Sequence, residues 1–454
     1  MKLIYDVKDK PKFGQMIVFA IQQLLAIMAA TLVVPIITGN GMQPSAALFG
    51  AGIGTLVYVA FTKAKSPVFL GSSFAFLGSM AAAFAGAVSI EAGYAGLIIG
   101  AVFAGLVYVV IALVVKFAGV KWIDKIMPKQ VIGPTVAIIG LSLASSAIGD
   151  LQSGNYTVDG EVTSNVLIAI LCGLITLFVT MICSVYGKKT AKLIPFIIGI
   201  LSGYAVAAIF TLIGIKTGND ALRIIDFSVF SDMKIFAVPE FTFFTAIKGV
   251  REVDGAYLGS LALAYIPVAF VVFAEHIADH KNISSVIGKE LLEDPGLHRT
   301  LLGDGVGSIV GSVFGGCPNT TYGESIACVA ITGNASVYTI ITAAVGAMLI
   351  SFISPFVAFV DSIPSCVMGG VCMALYGFIA VSGLKMVQKV DLEDNRNLFT
   401  VSVILIAGIG GLVLEFGQIQ ITAVATALIL GIITNLILSK GKNDKSNESA
   451  VEAE

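Results

Sequence analysis

Charged side chains are scarce in this sequence. Asp, Glu, Lys and Arg account for 12% of the 454 residues, whereas a typical soluble domain has roughly 25%. Hydrophobic residues account for 57%, and the mean hydropathy is +0.95. A membrane-spanning helix needs ~20 mostly apolar residues, so most of the chain can be placed in such helices. The composition excludes most soluble enzymes and predicts an all-α polytopic membrane protein with little mass outside the bilayer.

Residues that usually build metal or nucleic-acid sites are also few. There are three histidines and six cysteines, and the cysteines lack the paired short spacing of a zinc site. The 27 Lys and Arg residues form small clusters between apolar runs, which argues against a nucleic-acid-binding surface. No Ser/His/Asp or Cys/His arrangement lies outside the apolar runs. The sequence therefore predicts neither an enzyme nor a metal site.

Apolar runs separated by charges, Gly, Pro or polar clusters predict fourteen membrane spans, seven before a polar stretch at 216–251 and seven after it. The first seven are 14–37, 44–62, 67–88, 92–115, 131–149, 164–186 and 193–215. The second seven are 257–279, 301–317, 319–333, 336–359, 366–383, 397–414 and 420–438. An even number of spans places both termini on the same side of the membrane.

The basic residues predict the orientation of these spans. With a cytoplasmic N-terminus, only five of the 27 Lys and Arg residues lie outside, all on the one long connector, where the positive-inside rule is weakest. These five are Lys216, Arg223, Lys234, Lys248 and Arg251. We therefore expect a multi-pass protein of the cytoplasmic membrane with both termini in the cytoplasm.

Two halves of seven spans have opposite orientations, which is the inverted repeat of many secondary transporters. The third and tenth spans correspond under this 7+7 repeat, and both open with Pro, Gly and hydroxyl residues. Residues 66–76 read SPVFLGSSFAF and residues 315–325 read GGCPNTTYGES. Such compositions favour extended backbone over a continuous helix. We predict short strands in spans 3 and 10 that pair and leave the N-termini of two half-helices facing a ligand.

Ionisable residues inside the predicted spans mark a candidate site, because a carboxylate at a helix centre costs ~2.5–3.5 kcal/mol on insertion scales. Glu275 and Asp279 are four residues apart and share one helix face, while His276 and His280 share another. Two carboxylates in one low-dielectric cavity can hold a transferable proton. The alternative for Asp279 and His280 is that they end the helix at the cytoplasmic surface.

Two further acids lie at predicted helix starts. Glu324 follows the break in span 10, where an acid is also a common capping residue; its coincidence with the break favours a role in the site. Asp304 falls early in span 9, where a helix N-cap is the alternative. The GxGxG patterns at 50–54 and 303–307 lack the context of a nucleotide-binding loop and predict close helix packing.

Four motifs carry a resemblance to a known family. They are AEH at 274–276, DPGLHR at 294–299, PNTTYGE at 318–324 and GSSFAF at 71–76. These motifs resemble the nucleobase:cation symporter-2 (nucleobase–ascorbate transporter) family, and most closely its bacterial uracil permeases. The resemblance runs from about residue 12 to residue 440 and includes both halves of the chain.

The resemblance implies a core domain of spans 1–4 and 8–11 and a gate domain of spans 5–7 and 12–14, with the nucleobase between them. The implied boundaries are 12–117 and 255–360 for the core, 118–219 and 361–440 for the gate, and 441–454 for a disordered cytoplasmic tail. The implied activity is proton-coupled uracil import by alternating access. No cofactor is expected, since the proton is a co-transported ion, and a homodimer is compatible with this architecture.

The resemblance also implies roles for individual residues. The residues implied in base binding are Glu275, Glu324, Phe74, Gly323, Tyr322 and Ser73. Those implied in proton coupling are Glu275, Asp279 and Asp304, and those implied in supporting the site are Gln23 and His276. Uracil presents two N–H donors and two carbonyl acceptors around a flat ring. Two carboxylates and two backbone N–H groups at broken helices would match it.

The chain departs from the family pattern at three places. Gln23 stands where many relatives have His, and Asp279 stands where some uracil permeases have a second His. Ser325 and Ala327 break the family signature in span 10. We therefore expect proton coupling to depend on Glu275 and Asp279 rather than on histidine.

Three other functions are alternatives to uracil import. A xanthine or other purine permease of the same family is the nearest alternative, because Asp304 lies where several purine-transporting relatives keep an acid. An anion exchanger of the same architecture is disfavoured, because two acids would repel an anion. A channel is disfavoured because the sequence has nothing that resembles a ring-forming filter.

Overall fold

The computed structural model describes residues 3–119, 128–158, 161–188, 190–231, 234–416 and 419–451. Apolar helices dominate this part of the chain. The helices before residue 220 are α1 (Phe13–Thr38), α2 (Pro44–Phe61), α3 (Leu77–Ala85), α4 (Ile90–Ala118), α5 (Lys129–Ser142), α6 (Ala144–Leu151), α7 (Val166–Tyr186), α8 (Thr190–Leu193) and α9 (Pro195–Thr217). Residues 120–127, near the start of the implied gate domain at 118–219, lie outside the described residues.

The helices after residue 240 are α10 (Thr242–Gly249), α11 (Gly255–Ile287), α12 (Leu297–Gly315), α13 (Gly323–Thr332), α14 (Val337–Ile350), α15 (Ser354–Asp361), α16 (Ser365–Val387), α17 (Asn395–Ile409) and α18 (Ala423–Val451). Short strands form antiparallel pairs beside these helices. They are β1 (Leu70–Ser72) with β4 (Asn319–Thr321), β2 (Thr157–Val158) with β3 (Glu161–Val162), and β5 (Leu414–Phe416) with β6 (Ile419–Ile421).

Eight helical stretches among the described residues are long and apolar enough to cross a membrane. They coincide with predicted spans 1, 2, 4, 5, 6, 7, 8 and 12. Spans 3, 10, 11, 13 and 14 coincide with shorter apolar helices, and span 9 coincides with α12, which is rich in Gly and polar residues. Length and composition thus identify a multi-pass membrane protein.

The helices pack in two groups. In the first group, α2 packs against α12 and α14, α4 packs against α11 and α12, and α1 packs against α14. In the second group, α16 packs against α5, α6 and α7, α9 packs against α7, and α17 packs against α5 and α18. Helix α11 also contacts α18 and β6, so it lies where the two groups meet.

Glycines bring α2 and α12 together. A methyl group added to Gly54 would lie 2.7 Å from the Gly307 carbonyl oxygen, and one added to Gly307 would lie 2.8 Å from the Gly54 carbonyl oxygen. Small residues at such positions let two helix backbones approach closely. The prediction that the glycine patterns at 50–54 and 303–307 serve helix packing is confirmed.

The disordered tail implied for residues 441–454 stays a prediction. Helix α18 continues to Val451, so residues 441–451 are helical, and residues 452–454 lie outside the described residues. A helix that is already nucleated extends at a small cost for each added residue. The polar residues after residue 440 include no proline to stop it.

Candidate functional site

The two broken segments meet in the ribbon formed by β1 and β4. Pro67 and Pro318 precede the two strands, and proline lacks the backbone N–H that a helix interior requires. Gly71 lies opposite Thr320 in the antiparallel register. The Ser73 N–H donates to the Pro318 carbonyl oxygen at 2.9 Å and extends the pairing beyond the strand. The ribbon therefore satisfies backbone groups that would otherwise be unpaired at membrane depth.

Each strand leads into a short half-helix. After β1 come a 3-10 turn at Phe74–Phe76 and then α3, and after β4 comes α13. Tyr322 ties the two together, because its hydroxyl donates to the Ser72 carbonyl oxygen at 2.6 Å and its N–H donates to the Phe69 carbonyl oxygen at 3.2 Å. The first N–H groups of a helix have no partner within the helix. Both half-helices therefore present donors to the space beside the ribbon.

A cavity of about 460 Å³ occupies this space, within the range of ~300–1,000 Å³ that is usual for small-molecule sites. From the broken segments and α11, its lining includes Ser73, Phe74, Glu275, Asp279, Asn282, Thr320, Thr321, Tyr322, Gly323 and Glu324. From the second helix group, its lining includes Val136, Ile139, Phe196, Leu375, Phe378, Ile379, Ser382 and Met386. All six residues predicted to bind the base line this one cavity, while their roles toward a ligand stay predictions.

Helix α11 supplies the carboxylates of one wall. The Glu275 side chain is exposed to the cavity. One turn further on, Asp279 Oδ2 accepts a hydrogen bond from Thr321 Oγ1 at 2.7 Å, which joins α11 to the end of β4. The alternative in which Asp279 and His280 end the helix at the surface is wrong. Both residues are buried and α11 continues to Ile287, because partners inside the protein satisfy these polar groups.

His276 and Asp304 form a pair behind the cavity wall. His276 Nδ1 lies 2.7 Å from Asp304 Oδ2, its Nε2 lies 3.0 Å from Thr300 Oγ1, and both members of the pair are fully buried. Asp304 is not an N-cap, since α12 begins at Leu297, two turns earlier. Neither residue lines the cavity, and Asp304 contacts the cavity helix α11 through His276.

Gln23 supports the broken segments through Ser325. Its Nε2 donates to Ser325 Oγ, which also accepts the Phe69 N–H at 3.0 Å. Gln23 and Ser325 are both departures from the family pattern, and here they are in direct contact. An amide paired with a hydroxyl thus joins α1 to the start of α13 and to the approach to β1.

Sequence reasoning missed several residues of the lining. The Thr320 hydroxyl is buried in the lining and, like that of Ser73, has no hydrogen-bond partner among the described residues. Thr320 and its neighbour Thr321 both line the cavity, whereas the side-chain alternation of a strand would have assigned only one of them to it. The apolar residues of the second helix group carry no sequence signal, because their contribution depends on how the two groups pack.

The lining suits a flat, polar molecule. Among the described residues, no group of three His, Cys, Asp or Glu side chains is arranged to hold a metal ion. Two carboxylates, backbone N–H groups and free hydroxyls can meet ring donors and acceptors. Phe74 and Phe378 add aromatic surface to the same cavity, which favours a planar ring.

Sequence comparisons with known proteins all indicate the same family. The sequence profile of the xanthine/uracil permeases, described as a permease family, matches residues 14–415. The uracil permease of Bacillus subtilis is 39% identical over 452 residues, which cover 99% of this chain and 98% of that protein. The uracil permease of Escherichia coli K12 is 34% identical over 450 residues, which cover 99% of this chain and 97% of that protein.

Solved structures of transporters share the fold. The transmembrane domain of the cyanobacterial bicarbonate transporter BicA matches with a TM-score of 0.63 at 16% identity, over 95% of this chain and all of that one. The murine anion transporter Slc26a9 matches with a TM-score of 0.66 at 9% identity, over 96% of this chain and 69% of that one. At such low identity the likeness concerns the fold alone. With the family match over most of its length, the chain belongs to the permease family of nucleobase:cation symporters and is a membrane transporter rather than an enzyme.

Proposed function

We propose that this protein is a proton-coupled symporter that imports uracil across the cytoplasmic membrane by alternating access. The observation that carries the proposal is the cavity in which Glu275 and Glu324 lie beside the N-termini of two half-helices. The names of the relatives, uracil permeases at 34% to 39% identity over nearly the whole chain, support the same substrate.

In this proposal the cavity binds uracil through complementary polar groups. Glu275 and Glu324 accept the two ring N–H groups, and the N–H groups of Phe74 and Gly323 donate to the two ring carbonyls. Tyr322 and Ser73 complete the lining. A carboxylate that accepts an N–H forms a charge-assisted hydrogen bond, which is roughly twice as strong as a neutral one.

The two helix groups serve as the core and gate domains. Residues 12–117 and 255–360 would form the core, and residues 118–219 and 361–440 would form the gate. The proposal includes fourteen spans in a 7+7 inverted repeat with both termini in the cytoplasm. A cysteine label or tag at the C-terminus, tested for accessibility in intact cells and in inside-out vesicles, checks that orientation.

Proton coupling depends on Glu275 and Asp279, with Asp304 acting through His276. One proton that moves down ~100 mV releases ~2.3 kcal/mol, and one pH unit adds ~1.36 kcal/mol. A 1:1 symporter could therefore sustain a uracil gradient of about 500-fold. That gradient is sufficient to collect a dilute base.

Uptake of labelled uracil into proteoliposomes, at two external pH values, tests the proposal. We expect uptake that accelerates at the lower external pH, accumulates uracil against its gradient and collapses with a protonophore. Unlabelled uracil should compete well, while xanthine and hypoxanthine should compete poorly. Accumulation that is independent of the proton gradient would contradict the coupling.

A purine permease is the second candidate, and the cavity volume is the observation that favours it. At ~30 Å³ for each water molecule in the liquid, 460 Å³ has room for a two-ring base as well as for a single ring. Stronger competition by xanthine than by uracil in the same assay would select the purine function. The oligomeric state of the purified protein, measured by mass photometry, checks the proposed homodimer.

A further inference from the structure

A layer of buried polar side chains lies on the side of α11 away from the cavity. His276 and His280 are four residues apart on this helix, and neither side chain is exposed. Their rings are stacked, with centroids 4.0 Å apart and planes inclined by 27°. The cavity lining includes neither ring. The same helix thus presents carboxylates to the cavity and imidazoles to the protein interior.

His280 takes part in a hydrogen-bond chain that leaves α11. Its Nδ1 donates to the His276 carbonyl oxygen at 2.8 Å, so this nitrogen carries a proton. Its Nε2 lies 2.7 Å from the hydroxyl of Tyr58, which lies 2.7 Å from Ser66 Oγ. Tyr58 and Ser66 are fully buried, so water cannot replace either bond.

This chain of hydrogen bonds connects α11 to two other parts of the structure. Tyr58 belongs to α2, and Ser66 lies in the non-helical segment 65–69 that leads into β1. The neighbouring ring of His276 contacts α12 through Asp304. Two imidazoles, one turn apart, therefore tie α11 to two different helices and to the approach to β1.

Such a double tie restricts rotation of α11 about its own axis. Successive residues of a helix differ in direction by about 100°, so a rotation that moves the imidazoles also moves Glu275 and Asp279. The carboxylates can face the half-helices only while the imidazoles keep their partners. Movement of Ser66 would shift β1 and, beyond it, the cavity residues Ser73 and Phe74.

We propose that His280 and Tyr58 are positioning residues that set the affinity of the cavity for its substrate. They do so by fixing the rotation of α11 and the position of the segment before β1. This inference rests on the proposed uracil transport, and neither residue touches the cavity itself.

A pair of matched tyrosine variants tests the inference. Tyr58→Phe removes a hydroxyl that has two partners, whereas Tyr108→Phe removes one that has no partner among the described residues. Both tyrosines are buried beside the imidazoles: the Tyr58 ring centroid is 6.2 Å from that of His280, and the Tyr108 centroid is 6.4 Å from that of His276. The two variants thus share the chemical change and the surroundings.

The measurement is uracil uptake by the full-length variants in proteoliposomes, normalised to folded protein. For Tyr58→Phe we expect a KM about ten-fold higher with nearly unchanged maximal rate, because a buried imidazole and a buried hydroxyl each lose a partner. For Tyr108→Phe we expect wild-type kinetics. A merely structural role would lower the amount of folded protein, and hence the unnormalised rate, without raising KM.

Two substitutions at His280 provide the rescue. His280→Gln keeps a side chain that can bond Tyr58 and should raise KM by no more than about three-fold, while His280→Leu should reproduce the Tyr58→Phe defect. Equal KM values for Tyr58→Phe and Tyr108→Phe would overturn the inference. If instead the wild-type protein transports no uracil, the proposed function fails, so the two failures are distinguishable.

Discussion

The first and eighth predicted spans correspond under the proposed 7+7 repeat, yet they differ in chemistry. Helix α1 contains no charged residue between Phe13 and Thr38, and its polar contact with the site is the amide of Gln23. Helix α11 carries two carboxylates toward the cavity and two imidazoles away from it. Helix α11 thus carries ionisable groups beside the cavity, whereas α1 carries none.

The broken segments show the same contrast. Strand β1 is followed by Ser73 and Phe74, which offer a hydroxyl and a backbone N–H, whereas β4 is followed by Tyr322 and the acid Glu324. The ribbon needs both segments, because each strand is the hydrogen-bond partner of the other. In the proposed mechanism, the first half would supply the backbone geometry and neutral donors, and the second half would supply the acids that bind substrate and protons.

The largest expected effect follows from removing a charge in the second half. Glu275→Gln keeps the size of the side chain but can no longer exchange a proton, so we expect accumulation of uracil to disappear and affinity to fall by about 100-fold. Uptake with and without a protonophore measures both effects. The control is Glu293→Gln, which changes an exposed acid away from the cavity.

Retention of protonophore-sensitive accumulation by Glu275→Gln would contradict the coupling role. It would also weaken the proposed difference between the two halves, because a group other than Glu275 would then carry the coupled proton. Asp279→Asn in the same assay would show whether the neighbouring carboxylate takes over.

The next largest effect is expected from alanine substitution of one glycine in the first broken segment, compared with the same substitution in the second. A methyl group on Gly71 would collide with the ring of Tyr322, whereas one on Gly323 would meet nothing within 4 Å. Gly71→Ala should therefore displace Tyr322, lower the melting temperature and reduce uracil affinity by at least about ten-fold. Gly323→Ala should keep the melting temperature of the wild type and change only binding, because its methyl group points into free space.

Thermal unfolding in detergent and uracil binding to the purified protein separate these outcomes. Equal melting temperatures for both variants would show that the first segment is not held by Tyr322. The first half would then contribute less to the shape of the site than the comparison of the two halves implies.

Local sequence carried enough information to predict the breaks in spans 3 and 10. Pro67, Gly71 and Pro318 act on the backbone within a few residues, so their effect is readable without knowing the fold. The positions of Glu275 and Glu324 also followed from local rules, since charge inside an apolar run is costly wherever the run packs.

Other features depended on distant partners and were not predictable. The burial of His280 requires Tyr58, which is 222 residues away in sequence, and the burial of Asp304 requires His276 on another helix. The wall formed by Phe378 and its neighbours requires the relative placement of two helix groups. Apolar side chains that face lipid, core or cavity look alike in a membrane sequence.

A smaller effect concerns the contact between the halves at Gln23 and Ser325. Gln23→Leu and Ser325→Ala should each lower the affinity for uracil a few-fold. The fold-loss of affinity in the double variant should be smaller than the product of the two single fold-losses. A coupling energy of about 1 kcal/mol is expected for one buried hydrogen bond between neutral groups. Independent effects of the two substitutions in this cycle would show that the bond does not connect α1 to the site.

The smallest effect is expected where the N-terminal segment crosses onto the second half. The Ile4 N–H donates to the Gly333 carbonyl oxygen at 2.7 Å, and Lys289 Nζ donates to Asp6 Oδ1 at 2.7 Å. The hydrogen bond from Lys289, with one from the Val7 N–H, holds the pKa of Asp6 below its usual value. Both members of the ion pair are about half exposed, so solvent screens the interaction and its contribution stays below about 1 kcal/mol.

The sign of the pH dependence follows from the direction of that shift. A carboxyl group whose pKa is lowered on folding contributes stability that is complete above its pKa in the unfolded chain, about 3.9, and is lost as the pH falls through the lower folded value. Asp6→Asn should therefore lower the melting temperature by no more than about 2 °C at pH 7, and this difference should shrink as the pH is lowered below 4. A difference that stays constant down to pH 3 would mean that the tie between the halves here comes from the backbone bonds to Gly333 and not from charge.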